Sequence, residues 1–114
     1  MNHAALAPLN SQAELDALIN GAAPVLVTFT GPRCIICRQL APMLAVVVAE
    51  AGATLASAKV DVDASPALAE RHAIRTLPTT LLFRGGSLVD RISGFATAGR
   101  LRDWLAGHGV ASAG

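Results

Sequence analysis

Cys34 and Cys37 are the only thiols in the chain, and they stand two residues apart in Gly31-Pro32-Arg33-Cys34-Ile35-Ile36-Cys37-Arg38. On a helix that spacing brings both sulfurs to one face, one turn apart. One thiolate can then attack a disulfide while the other resolves the mixed disulfide that forms. The stretch follows an apolar run, Val25 to Thr30, and opens a long helical pattern. A cysteine at a helix start meets unpaired amides and the positive end of the macrodipole, and both favour its thiolate. Arg33 adds a formal positive charge beside Cys34. A structural bridge fits poorly, because a loop closed between i and i+3 constrains little of the unfolded chain. Two other readings stay open: a pair of small buried hydrophobes, and half of a metal site. The strand-to-helix setting ranks redox chemistry above both.

The elements that must position this pair can be read from periodicity. Residues 4–9 suit a short first strand, confined to a sheet edge by Pro8. Ser11-Gln12-Ala13-Glu14 reads as a capping box, followed by Leu15, Leu18 and Ile19 at helical spacing. Gly21 to Pro24 ends that helix. Val25-Leu26-Val27-Thr28-Phe29 is short and almost continuously apolar, the pattern of a strand buried on both faces. The helical pattern after Cys34 runs to about Ala51 and carries Pro42 inside it, where proline kinks a helix. Thr54 to Val62 reads as a second buried strand. Ser65-Pro66 opens a short helix, with Ser65 as its cap. Thr79 to Arg84, Gly85-Gly86 and Ser87 to Ser93 form an antiparallel hairpin. Thr97 to about Gly107 is a last helix with Leu101, Trp104 and Leu105 facing inward. The order β-α-β-α-β-α-β-β-α predicts an α/β fold with a mixed central sheet.

Composition narrows the function classes. The chain has 114 residues, 53% of them apolar and 15% charged, which predicts one domain over 1–114 and argues against disorder. Its expected extremities are a short segment over 1–9 and a flexible tail over 109–114. Net charge is +1 without a basic cluster, so no nucleic-acid or anionic-membrane footprint is expected. The apolar runs are interrupted short of the ~20 residues of a membrane span. Residues 1–8 lack the basic and apolar regions of a secretory signal, so a cytoplasmic location is expected. A monomer is expected as well. Leu44 to Val48 could alter that, because Val46, Val47 and Val48 sweep about 200° of a helix surface; either a neighbouring element covers that arc or it serves a homodimer or partner. His72 is expected to interact with the carbonyls ending its short helix, and Trp104 to belong to the core.

A second marker is Thr76-Leu77-Pro78-Thr79, before the hairpin. A cis proline there would turn the backbone of the preceding residue outward. Taken alone, an ordinary trans turn proline is the better reading.

Together these segments resemble the thioredoxin family over nearly the whole chain. The resemblance is carried by the strand leading to Cys34 and Cys37, Pro42 in Leu40-Ala41-Pro42-Met43-Leu44, and Lys59-Val60-Asp61-Val62-Asp63. It continues through Ile74-Arg75-Thr76-Leu77-Pro78-Thr79, Leu82-Phe83-Arg84-Gly85-Gly86 and Gly94. It implies the thioredoxin fold, with four helices on both faces of the mixed sheet and Pro78 cis beside the cysteines. It implies Cys34 as nucleophile and Cys37 as resolving thiol, a redox-active disulfide, and no dissociable cofactor or metal. Ile35, Thr76, Leu77, Pro78 and Gly94 would contact substrate, with the Leu77 backbone pairing with an extended strand.

Arg33, Ile35, Ile36 and Thr28 depart from the family pattern Trp-Cys-Gly-Pro-Cys and its buried strand Asp, and three of these departures bear on the chemistry. Arg33 replaces the aromatic wall and Ile36 the proline between the cysteines. Thr28 stands where the family places an Asp that assists proton movement at the resolving cysteine; a hydroxyl can relay a hydrogen bond but is no base near neutral pH. Lys59, the family partner of that Asp, keeps no counter-ion. Lys59 and Arg33 are therefore expected to favour the thiolates and make the couple more oxidising, unless Lys59 extends to solvent. The expected function is thiol–disulfide exchange with protein disulfide or dithiol substrates, with a thioredoxin-reductase-like electron donor. The alternative is a binding module or scaffold of weak redox activity, with a metal or iron–sulfur cluster shared between two chains.

Overall fold

The computed structural model describes residues 6–110. Its elements are β1 (Ala7–Pro8), α1 (Gln12–Ile19), β2 (Val25–Thr30), α2 (Ile35–Ala51), β3 (Ala56–Asp61), α3 (Pro66–Arg71), β4 (Thr79–Arg84), β5 (Ser87–Ser93) and α4 (Ala98–Gly107). They build one five-stranded sheet in the order β1-β3-β2-β4-β5. β1, β3 and β2 run parallel, while β4 and β5 are antiparallel to their neighbours. β2 lies at the centre, and Val25 through Phe29 are all buried. Helices α2 and α4 cover one face, packing Leu40, Leu44, Val47, Leu101 and Leu105 against Leu26 and Leu82. On the other face α1 and α3 bring Leu15 and Leu68 against Val25, Val27, Phe29, Val60 and Leu81. Each fully buried aliphatic side chain in these layers stabilises the fold by roughly 1.5–3 kcal/mol.

The local signals account for most boundaries. Ser11 Oγ accepts the Glu14 N–H at 3.1 Å, and Glu14 reaches back to the Asn10 N–H at 2.7 Å. Thr97 Oγ1 caps α4 through the Arg100 N–H at 3.2 Å. Gly52 ends α2 with φ 58°. At the sheet edge, β1 contains Pro8 as expected; residues 4 and 5 of the expected strand lie outside the described residues.

Several expectations are corrected. The strand expected from Thr54 starts at Ala56, because Gly52–Thr54 form a 3-10 turn closed by the Leu55 N–H to the Gly52 carbonyl. Ser65 precedes α3 but makes no side-chain cap; the turn is closed by Asp61, whose carboxylate accepts the Asp63 N–H at 2.8 Å. The His72 ring leaves its own helix carbonyls and meets Gln12 Oε1 at 3.0 Å, beside the rings of Phe29 and Phe83. The flexible tail expected from residue 109 does not include Gly109 and Val110. Gly109 takes φ 80°, its N–H reaches the Ala106 carbonyl, the Val110 N–H reaches the Leu105 carbonyl, and Val110 is buried in the core. These are the two bonds and the apolar contact of a Schellman closure.

The apolar arc of α2 has an internal explanation. Leu44, Ala45, Val47 and Val48 are buried, and α4 packs across this part of α2. Of the two readings of Leu44 to Val48, cover by a neighbouring element is therefore the one observed for these buried residues. The segment Ile35–Thr54 is long and apolar enough by composition to cross a membrane, contrary to the sequence expectation. In this fold its apolar face forms the core beneath α4 and the sheet.

One polar cluster ties β5 to α4. Asp90 Oδ2 accepts from the Trp104 indole N–H at 2.8 Å and lies 2.8 Å from His108 Nε2. Trp104 is thus half-buried with its polar edge satisfied, rather than fully in the core. The Trp104 bond, followed by His108, holds the Asp90 carboxyl below its ordinary value of 3.8. A carboxyl depressed on folding contributes stability that is complete above its unfolded pKa and is lost as pH falls through the folded one. Asp90→Ala should therefore destabilise the protein by about 1–2 kcal/mol at neutral pH. It should also flatten the acid limb of a urea-midpoint against pH profile. Glu50, depressed by its bond to Arg102, keeps part of that limb in the variant. A variant with the wild-type profile would show that the Asp90 bonds contribute nothing.

Candidate active site

β2 ends at Thr30, and the short loop Gly31–Arg33 delivers Cys34 to the first position before α2. Cys34 has the extended backbone of an N-cap, with φ −94° and ψ 108°. Its Sγ takes the role usually filled by a serine or aspartate oxygen, accepting the Cys37 N–H at 3.2 Å. Both cysteines are free thiols; Cys34 is partly exposed and Cys37 is buried, with 6% of its surface accessible.

Their environments push the two thiols apart. Cys34 is held below the ordinary thiol range by the hydrogen bond from the Cys37 side chain, despite some desolvation. The backbone amides of Cys37 and Ile36 and the charge of Arg38 act in the same sense. Burial raises Cys37, as does its role as hydrogen-bond donor to Cys34, while Thr30 and the Gly31 backbone partly offset the rise. The pair is therefore biased toward a thiolate on the more exposed sulfur and a proton on the buried one. That is the charge distribution needed for attack followed by resolution.

The supporting residues differ from those expected. The Arg33 side chain is 92% exposed and lies 3.9 Å from Asp63, and the cation acting on Cys34 is Arg38, one turn further along α2. Lys59 is exposed and is not among the leading influences on either thiol. Thr28 is engaged by the Thr80 hydroxyl at 3.2 Å, and the hydroxyl bonded to Cys37 is that of Thr30. Arg38 and Thr30 were each legible in principle. Arg38 follows Cys34 at i+4, and Thr30 shares the face of β2 that carries Thr28.

The second segment is brought to the same place. The Leu77–Pro78 peptide is cis, and Pro78 is buried against the cavity wall that Cys37 also lines. The Gly94 N–H donates to the Pro78 carbonyl at 2.8 Å, with Gly94 at φ 81°. Thr79 Oγ1 donates to the Thr76 carbonyl at 2.7 Å. Leu77 closes on Gly31 so tightly that a Cβ at Gly31 would stand 3.1 Å from Leu77 Cδ1. Among the described residues no partner holds the Leu77 backbone N–H or carbonyl. Ile35 is 64% exposed beside Cys34. Among the described residues, no group of three or more His, Cys, Asp or Glu could hold a metal ion. A tetrahedral metal on Cys34 and Cys37 would require two further ligands beyond those the described residues supply.

Comparison with known proteins agrees with this geometry. The thioredoxin family model matches residues 7–107. Thioredoxin of Porphyra purpurea is 32% identical over 88 residues, covering 77% of this chain and 82% of its own. Thioredoxin of Mycolicibacterium smegmatis is 42% identical over 79 residues, covering 68% and 70%. The crystal structure of oxidised mitochondrial thioredoxin 3 from Saccharomyces cerevisiae superposes with a TM-score of 0.81 at 25% identity, covering 90% of this chain and 94% of the other. With its cysteine pair at the head of α2, the chain belongs to the thioredoxin family and is a thiol–disulfide oxidoreductase.

Proposed function

We propose that the chain exchanges disulfides with protein substrates, with Cys34 as nucleophile and Cys37 as resolving thiol. The observation that carries this reading is the asymmetric pair, in which the partly exposed Cys34 sulfur accepts the Cys37 N–H at 3.2 Å. In the reducing direction, the Cys34 thiolate attacks one sulfur of a substrate disulfide. A bond forms from Cys34 Sγ to that sulfur, the substrate S–S bond breaks, and the leaving thiolate takes a proton from solvent. Cys37 then loses its proton and attacks Cys34 Sγ. This forms the Cys34–Cys37 disulfide and releases the second substrate thiol. Two electrons pass from the dithiol to the substrate, and the dithiol is the only redox group required.

Thr30 supports the second step, because its hydroxyl bonds to Cys37 and favours the thiolate as it forms. The unpaired Leu77 backbone suits an extended substrate strand, which would gain main-chain hydrogen bonds there. Exposed Ile35 and Ile36 favour a substrate that is apolar next to its disulfide. A cytoplasmic site of action and a thioredoxin-reductase-like donor complete the cycle in this reading. Arg33 in place of an aromatic side chain gives that donor a charged, exposed contact.

Reduction of insulin disulfides by dithiothreitol tests the chemistry. Wild-type protein should accelerate precipitation, Cys34→Ser should return the rate to background, and Cys37→Ser should accumulate the mixed disulfide. A Cys34→Ser variant as active as wild type would remove Cys34 from the nucleophile role. The thiolate assignment has its own readout in the pH profile of iodoacetamide alkylation. Cys34 should react at lower pH than an ordinary thiol and before Cys37. Arg38→Ala should move the Cys34 midpoint upward, because the thiolate loses a favourable charge, whereas Arg33→Ala should leave it in place. A larger upward shift in Arg33→Ala than in Arg38→Ala would reverse the assignment.

A further inference from the structure

Behind Cys37 lies a cavity of about 400 Å³, lined in part by the exchange residues Cys37, Thr30 and Arg38, whose deeper walls the exchange reaction leaves unused. Leu6, Leu40, Ala41, Leu44 and Ala45 supply apolar walls, and Thr28 and Thr30 supply hydroxyls. Two cations, Arg38 and Lys59, line it, and no acidic residue does. Neither cation forms an ion pair among the described residues, whose three such pairs are Arg33–Asp63, Arg102–Glu50 and His108–Asp90. The Thr28 hydroxyl oxygen accepts from Thr80, and among the described residues its own proton has no acceptor. The lining thus combines apolar walls with two cations and two hydroxyls. That pattern matches an amphipathic anion: apolar walls exclude water and a few polar groups fix orientation.

We infer that this cavity binds a small aliphatic monocarboxylate, its head group paired with Lys59 and Arg38 and its chain against Leu6, Ala41 and Pro42. A planar carboxylate can take a bidentate pair of bonds from the Arg38 guanidinium. The volume suits a chain of about six to eight carbons within the usual range of small-molecule cavities. Ile35 and Ile36 form no part of the lining, so a ligand here and a protein approaching over those residues use different walls. Cys37 is a wall of the cavity, which puts the ligand in contact with the resolving thiol.

The test is titration of the ¹⁵N-labelled reduced protein with sodium octanoate, followed by amide chemical shifts. Saturable shifts should appear around Thr28, Cys37, Ala41 and Lys59, with a dissociation constant on the order of 1 mM, as expected for a ligand of this size. Octanol carries the chain without the charge and should bind about tenfold more weakly, the effect of one lost charge-assisted bond; acetate carries the charge without the chain and should bind at least about tenfold more weakly for want of apolar contact. Lys59→Ala should weaken octanoate by a similar factor. Ala41→Glu, on the exposed face of α2, should do so by repulsion without touching the core. Absence of saturable shifts with octanoate overturns the proposal. So does octanol binding as tightly as octanoate, or octanoate affinity unchanged in both variants. Because the readout is binding, loss of exchange activity and loss of this site are scored separately.

Discussion

Burial of β2 on both faces is the constraint from which the rest of the molecule follows. A strand with no solvent face needs a neighbour on each edge and a helical layer above and below, and the chain supplies all four. β3 and β4 satisfy its backbone groups in opposite directions, so the sheet is mixed. The strand is therefore held too firmly to shift, and its end at Thr30 is a fixed point from which Gly31–Arg33 present Cys34. Placing a reactive group at the end of a rigid element, rather than along a long loop, limits the positional freedom of the sulfur.

The two thiols are differentiated by the same helix start. Cys34 is outside the helix and accepts from its first amides, while Cys37 is inside it and turned toward the core. No acid–base residue is needed to create the difference in the resting dithiol. The Cys37 side chain and the cap amides favour charge on one sulfur, and desolvation disfavours it on the other. The interaction that organises the helix end thus also polarises the pair.

Much of this was legible in the sequence because it rests on local rules. The cap at Ser11, the hairpin over Thr79 to Ser93 and the position of Cys34 before a helix depend on neighbours only a few residues away. What escaped depends on tertiary placement. Arg33 carries its charge next to Cys34 in sequence, yet its side chain points to solvent and Asp63, while Arg38 comes round on the helix. The arc Leu44 to Val48 looked too broad for one packing face because a sequence does not show that α4 crosses it. The His72 ring escaped for the same reason, because its partner Gln12 lies 60 residues away on α1. Val110 instead belongs to a local closure of α4, in which Gly109 and Val110 reach back to Ala106 and Leu105.

The paired hydroxyls of Thr28 and Thr80 face each other directly across β2 and β4, both buried, with their oxygens 3.2 Å apart. Replacing them with valines would keep the volume and remove polar groups from the core, so their worth does not lie in packing. They act as a key for alignment. A slip of one residue between these strands would turn each hydroxyl to the opposite face, where it would have to find a new partner among apolar side chains. That penalty attaches to the misaligned states and leaves the native one untouched. Since β4 begins immediately after Pro78, the alignment also sets how far Pro78 stands from the end of β2. Two unremarkable threonines in mid-sheet thereby gauge the distance between the segments that meet at the cysteines.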